Sequence, residues 1–122
     1  MFGTLGIVVC ALLISASALA HHGRGLIYDT SKPATVKGTV TEFVWSNPHV
    51  QIGVEAVEAK GTRRIGLLET SSTPIMATRG WTRKSLKVGE TVTVTFHPGF
   101  RGAAIGDLLK VVFADGKELA AR

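Results

Sequence analysis

The chain has 122 residues, with 14 Lys and Arg against 9 Asp and Glu, a net charge of +5, and one cysteine. That length supplies one modest hydrophobic core and excludes two independent domains. A lone cysteine excludes an intrachain disulfide, and neither a phosphate-binding loop, a dinucleotide fingerprint nor a nucleophile elbow can be read in the sequence.

The charge is unevenly placed. Met1 to Ala20 holds 15 hydrophobic residues and no Asp, Glu, Lys, Arg or His, so all the charge falls on the remaining 102. Leu5 to Ile14 is an apolar run of export-signal length, and Ala18-Leu19-Ala20 has the small-x-small form that a signal peptidase cleaves. Ten apolar residues are short for a membrane anchor. The front, Met1-Phe2-Gly3-Thr4, lacks the usual basic residue. The expected arrangement is therefore a signal peptide over 1–20, an N-terminal arm over 21–33 and one β domain over 34–122. The mature protein is expected in the periplasm or outside the cell. Cys10 would leave with the signal, since Val9 is too large for a lipoprotein site, and the mature chain would have no thiol.

In chain order, residues 21–33 show little periodicity and read as an extended arm. Thr35 to Trp45 is a strand rich in Val, Thr and aromatics. Val36 and Val40 share one parity and Phe43 and Trp45 the other, so a bulge near Glu42 would bring both sets to one face. Ser46-Asn47-Pro48 is a turn. Val50, Ile52, Val54 and Ala56 alternate with polar residues as a second strand, and Glu58 to Gly61 turns into a third over Thr62 to Glu69. Ser72-Thr73-Pro74 opens a short helix over Ile75 to Arg79, closed by Gly80. Val92, Val94 and Phe96 alternate with threonines in a fourth strand. Arg101 to Gly106 reads as a loop, Leu108 to Phe113 as a fifth strand, and Glu118 to Ala120 as a short tail strand. Three strands, a helical insertion and two strands is the order of a small OB-like, five-stranded antiparallel barrel, an all-β fold with one short helix. Gly38 permits the bend in its first strand, and closure hides most strand edges. Val40, Trp45, Ile52, Val54, Trp81, Val92, Val94 and Val111 are the expected core.

Two motifs carry a resemblance. Gly38-x-Val40, Trp45-x-Asn47-Pro48-His49 and Gly80-Trp81-Thr82-Arg83-x-Ser85-Leu86-Lys87-x-Gly89-Glu90, with His21-His22, Tyr28-Asp29 and Asp115-Gly116-Lys117, resemble a family of small exported bacterial proteins of unknown function. The resemblance spans the mature chain. It implies a periplasmic or secreted protein with a compact OB-like fold, and no reaction. Phe96-His97-Pro98-Gly99 and Arg63-Arg64 depart from the pattern.

Histidine placement is the strongest chemical hint. Cleavage after Ala20 frees the amine of His21, which chelates a metal together with its own ring Nδ1. A further imidazole, from His22 or His49, completes a three-nitrogen set suited to Cu(II) or another divalent ion. His97, Tyr28 and Asp29 are remoter candidates. The plainer alternative is a solvated His-His end, with His49 holding a turn. Trp45, Asn47 and Arg83 are candidates for the rim of a ligand pocket, although Asn-Pro is a turn former and Trp45 can serve the core.

Arg63, Arg64, Arg79, Arg83, Lys84 and Lys87 give a basic surface. On an OB face such residues can bind single-stranded nucleic acid, but export makes that partner unexpected. An anionic envelope component or a carboxylate ligand fits better, and ordinary solubilising charge fits best. No carboxylate pair is recognisable from spacing. The expected function is a binding module of unassigned ligand with a candidate copper or other metal cofactor. A structural or interaction protein is the rival, and a small copper oxidoreductase the least favoured reading.

Overall fold

The computed structural model describes residues 23–122. The expected signal over 1–20, its cleavage site, His21 and His22 lie outside the described residues. Six strands follow in chain order: β1 (Ala34–Val44), β2 (Gln51–Glu58), β3 (Gly61–Glu69), β4 (Thr91–Pro98), β5 (Ile105–Phe113) and β6 (Glu118–Ala120). A helix, α1 (Thr73–Thr78), lies between β3 and β4, and a 3-10 turn (Phe100–Gly102) precedes β5.

The strands form one sheet in the order β3-β2-β1-β4-β5-β6, and β3 also pairs with β5. That last pairing closes five strands into a barrel. Its register is Leu67 with Ile105, Leu68 with Gly106 and Glu69 with Asp107, and it is parallel. Closure is therefore mixed: four seams are antiparallel, as expected, and the fifth is not. β6 extends β5 outside the closed ring.

β1 is long because it serves two neighbours. Ala34 to Thr39 pairs with β4, and Thr39 to Val44 pairs with β2. The register slips between Val40 and Glu42, the bulge that the parity change required. Val36 and Val40 are buried before it, and Phe43 and Trp45 pack against the same core after it. An extra residue in one strand bends that strand and reverses the facing of the residues beyond it. A Cβ on Gly38 would stand 2.6 Å from Glu55 O and 2.7 Å from Val54 Cγ1, so only glycine fits this inner bend. A Cβ on Gly106 would meet Phe96 and Leu68 side chains at 2.6 and 2.8 Å, which lets β5 approach at the closing seam.

The core contains Val40, Val50, Ile52, Val54, Ile65, Leu68, Val92, Val94, Phe96, Leu108 and Val111. Met76 of α1 and Trp81 join them, fully enclosed. Trp81 donates from Nε1–H to Ala120 O at 2.8 Å and stacks on Phe43 at 6.4 Å between ring centroids. Burying a large aromatic while satisfying its polar edge gives this residue both an apolar and a directional hold. Trp45, expected in the core, is only half-buried. It lies beyond the end of β1 and tilts against Phe43 at 6.2 Å.

Two local expectations need correction. Residues 23–27 form a helical turn where an extended arm was expected, and Tyr28 N–H closes it on Arg24 O at 2.8 Å. The arm docks on the domain, where Tyr28 is buried and bridges to Gly99. β5 begins at Ile105 rather than Leu108, drawn out by its parallel pairing with β3, a contact without a local sequence signal. No helix among the described residues is long and apolar enough to cross a membrane.

Two substitutions test this packing. Trp81→Ala removes an enclosed indole and should cost roughly 3–5 kcal/mol in urea denaturation. Gly38→Ala should cost about 1–3 kcal/mol, because its Cβ meets backbone. A loss near zero in either variant would contradict the packing described.

Candidate functional site

At the end of the barrel where β2 begins and β3 ends, the polar side chains converge. The turn after β1 carries Asn47, Pro48 and His49. Asn47 Oδ1 accepts from Thr73 N–H at 2.8 Å and from Thr73 Oγ1–H at 3.0 Å. It thereby caps the first turn of α1, whose Ser72 makes no side-chain cap of its own. Val50 N–H donates to Ser71 O at 2.9 Å, and Thr70 N–H returns to Val50 O at 3.2 Å. The turn is thus stitched to residues 70–73, and His49 is held beside the end of β3.

The His49 ring is fixed by its environment. Nδ1 lies 3.0 Å from Thr70 O. A carbonyl oxygen only accepts, so Nδ1 carries the proton of that contact and Nε2 is the ring nitrogen turned outward. Nε2 faces Glu69 Oε1 at 3.4 Å. The other carboxylate oxygen, Oε2, accepts from Tyr28 Oη–H at 2.7 Å. Tyr28 itself is 3% exposed, and Asp29 N–H donates to Pro98 O at 2.8 Å. The arm is thereby anchored next to the His49–Glu69 pair.

A second polar group adjoins the first. Glu69 is in register with Asp107, and Asp107 with His97. Asp107 is 4% exposed. Arg122 donates from Nε to Asp107 Oδ1 at 3.0 Å and again from Nη2 to the same oxygen. Its Nη1 donates to Ser71 Oγ at 2.6 Å and its Nη2 to Thr70 O at 3.2 Å. Arg79 donates to Ala121 O at 2.6 Å, holding the final residues against the barrel end. A buried carboxylate needs a charged, hydrogen-bonded partner of this kind. His97 Nδ1 is enclosed, has no hydrogen-bond partner among the described residues and stands 3.7 Å from Asp107 Oδ2. Thr70 O accepts from both His49 and Arg122 and joins the two halves.

The electrostatics follow from this crowding. Burial, the hydrogen bond to Glu69 and the negative charges of Glu69 and Asp107 push the Tyr28 hydroxyl well above its ordinary pKa. Asp29 is shifted the other way, held below the usual carboxylate range by hydrogen bonds from Ser31 Oγ and N–H. Asp29 is thus occupied in a local turn.

Of the expected site residues, the structure brings His49 together with Tyr28 and places Trp45 and Asn47 on the same turn, Asn47 as a cap. His97 pairs with Asp107 across the β4–β5 seam, adjacent to this group. Arg83 is exposed on the turn after Trp81 and makes no hydrogen bond or ion pair among the described residues. Glu69, Asp107 and Arg122 were missed. Asp107, which falls just before the expected fifth strand, lies buried in β5, and its adjacency to Glu69 arises from the closing seam. Among the described residues no three His, Cys, Asp or Glu side chains are grouped to hold a metal ion. The described part offers two candidate ligands, His49 and Glu69.

A family profile covers most of this architecture. The chain belongs to a family of unknown function (DUF6152), which matches residues 8–108. No curated protein and no solved structure matches it.

Tyr28 is the sole tyrosine, so its titration can be read directly. Its folded pKa is raised, so the folded state holds this proton more tightly than the unfolded chain. Its contribution is complete below the ordinary value of 10.0 and is lost as pH rises above it. Near-ultraviolet tyrosinate absorbance should therefore appear only together with loss of tertiary structure. Tyrosinate forming near the ordinary value in folded protein would contradict the Tyr28–Glu69 contact.

Proposed function

We propose that this member of the family of unknown function is an exported, periplasmic binding module that takes a divalent metal at its mature amino terminus. The amine and ring of His21 chelate the ion, and His49 supplies a further imidazole, with His22 the alternative. Cu(II) or another divalent ion suits such nitrogen donors. The observation that supports this reading is the anchoring of Tyr28 on Glu69, next to the oriented His49 ring. The helical turn over 23–27 rises about 1.5 Å per residue, so the chain following His22 starts within about 8 Å of Tyr28. The carbonyl on His49 Nδ1 is the kind of outer partner that presents Nε2 to a metal.

A second reading rests on a separate feature. Lys84, Lys87 and Lys117 line a groove of about 410 Å³ with Glu90 and Asp115. Glu90 accepts from Lys87 N–H at 2.7 Å and Asp115 from Lys117 N–H at 2.9 Å. The three ammonium groups form no ion pair among the described residues, and this surface would suit an anionic envelope component or an acidic protein partner.

The two readings part on one comparison. Protein beginning at His21 should bind one Cu(II) at least tenfold more tightly than protein carrying one extra residue before His21, because the extra residue turns the chelating amine into a peptide nitrogen. Isothermal titration would show it. Equal affinity for the two forms would remove the amino-terminal site and leave the basic groove as the better reading.

A further inference from the structure

We propose that the arm turn and the loop between β4 and β5 together form a docking tip for an anionic lipid bilayer. Leu26, Ile27 and Phe100 enter the headgroup layer, and Arg24 and Arg101 meet its phosphates. This surface is separate from the metal-binding reading above and does not depend on it.

One contact assembles the tip. Tyr28 bridges to Gly99 in antiparallel sense, and Asp29 N–H donates to Pro98 O at 2.8 Å. The helical turn over 23–27 and the 3-10 turn over Phe100–Gly102 therefore leave the same bridge. Such a bridge sets the Cα atoms of the next residues, Ile27 and Phe100, within about 13 Å of each other. Leu26 is 78% exposed, Ile27 50% and Phe100 46%. The other exposed large apolar side chains among the described residues, Val57, Ile75 and Val88, stand singly on β2, on α1 and on the turn before β4. Single residues of that kind are ordinary surface, whereas a group of three beside a shared contact marks an interaction site.

Charge and backbone identify the occupant. Residues 23–32 and 99–104 carry Arg24, Lys32 and Arg101 against Asp29 alone, and Asp29 is engaged by Ser31. Neither Arg24 nor Arg101 forms an ion pair among the described residues. Apolar side chains rimmed by unpaired guanidiniums match a bilayer interface, where acyl chains lie beneath anionic phosphates. Every residue of 24–27 and 100–104 is exposed, so the tip is made of projecting turns and offers no groove to a peptide. Arg101 adds an independent sign. Its φ of 58° and ψ of 33° are a left-handed conformation that glycine adopts freely and arginine only at a cost. The loop holds it there: Gly99 N–H donates to Ile105 O at 3.0 Å, Ala103 N–H to Phe100 O at 3.2 Å, and Gly66 N–H of β3 to Ala104 O at 3.0 Å. A guanidinium thus stands beside Phe100 where the backbone alone favours glycine, and strained positions of this kind cluster at ligand-contacting sites.

Vesicle flotation tests the proposal. The described residues contain the whole barrel, so protein beginning at His21 is used, with EDTA present to keep metal out of the result. Binding to vesicles of mixed phosphatidylglycerol and phosphatidylcholine should be at least tenfold stronger than to phosphatidylcholine alone. It should fall as ionic strength rises. Leu26→Ser and Phe100→Ser should each weaken it at least fivefold, and both side chains are exposed, so the fold persists. Arg101→Gly should weaken it roughly fivefold, the worth of one basic residue at an anionic surface. The same variant should melt no lower than the parent, because glycine accepts this φ without strain. A purely structural role for the loop would not separate binding from stability in this way. Val57→Ser removes an equally exposed apolar group, and Lys84→Gln removes an equal charge from the basic groove. Each should change binding less than twofold. No preference for anionic vesicles, tip variants that bind like the parent, or loss confined to Lys84→Gln would each overturn the proposal. Self-association that Phe100→Ser abolishes, without vesicle binding, would assign the tip to a second copy of the chain and overturn it too.

Discussion

The parallel seam between β3 and β5 is the constraint on which the rest depends. It closes the barrel, and it also sets Glu69 beside Asp107 on neighbouring strands. Two carboxylates placed together at a barrel end would repel each other and lose hydration unless each were compensated. Each is compensated differently. Asp107, nearly fully buried, takes the guanidinium of Arg122. Glu69, nearer the rim, takes the Tyr28 hydroxyl and faces His49. The buried half is a closed structural pair, and the rim half keeps an oxygen and a ring nitrogen turned toward each other.

The backbone links these halves. Thr70 O accepts from His49 and Arg122 together, so the orientation of the His49 ring and the docking of the final residues share one carbonyl. Thr70 Oγ1–H donates to Val50 O at 2.6 Å, which ties that carbonyl's residue to the start of β2. A ring positioned through such a network loses rotational freedom before any ligand arrives, which lowers the ordering cost of binding. Tyr28 gives the N-terminal arm the same preorganisation. The arm is thereby connected, through the Tyr28 anchor, to a turn about 20 residues further along.

Most of the fold was legible because it is written in period-two alternation. Val92, Val94 and Phe96 against Thr91, Thr93 and Thr95 give β4 directly, and the parity change between Val40 and Phe43 gives the bulge. Ser72-Thr73-Pro74 and Gly80 bracket the short helix. The parallel seam was not legible, since nothing local in Leu67 to Glu69 names Ile105 to Asp107 as its partner. For that reason the start of β5 was placed three residues late, which left Asp107 outside the strand. The site was half-legible. His49 stood out by residue type, whereas Glu69, at the end of an ordinary strand, is indistinguishable by sequence from a solvated charge. Asn47 drew notice as a rim candidate, yet its cap on α1 depends on a contact 26 positions away. Trp45 fell short of burial because β1 ends at Val44, one residue before it.

The central claim is that the fold holds His49 Nδ1 on Thr70 O and so presents Nε2, and not Nδ1, to the metal ion proposed for the mature amino terminus. Nitrogen-15 chemical shifts of the His49 ring, recorded on protein beginning at His21 before and after one equivalent of Zn(II), test it most directly. The account predicts that Nδ1 keeps its proton in both spectra and that Nε2 moves to the shift of a metal-bound nitrogen. Metal ligation through Nδ1, or a His49 ring unchanged when Zn(II) binds, would contradict it.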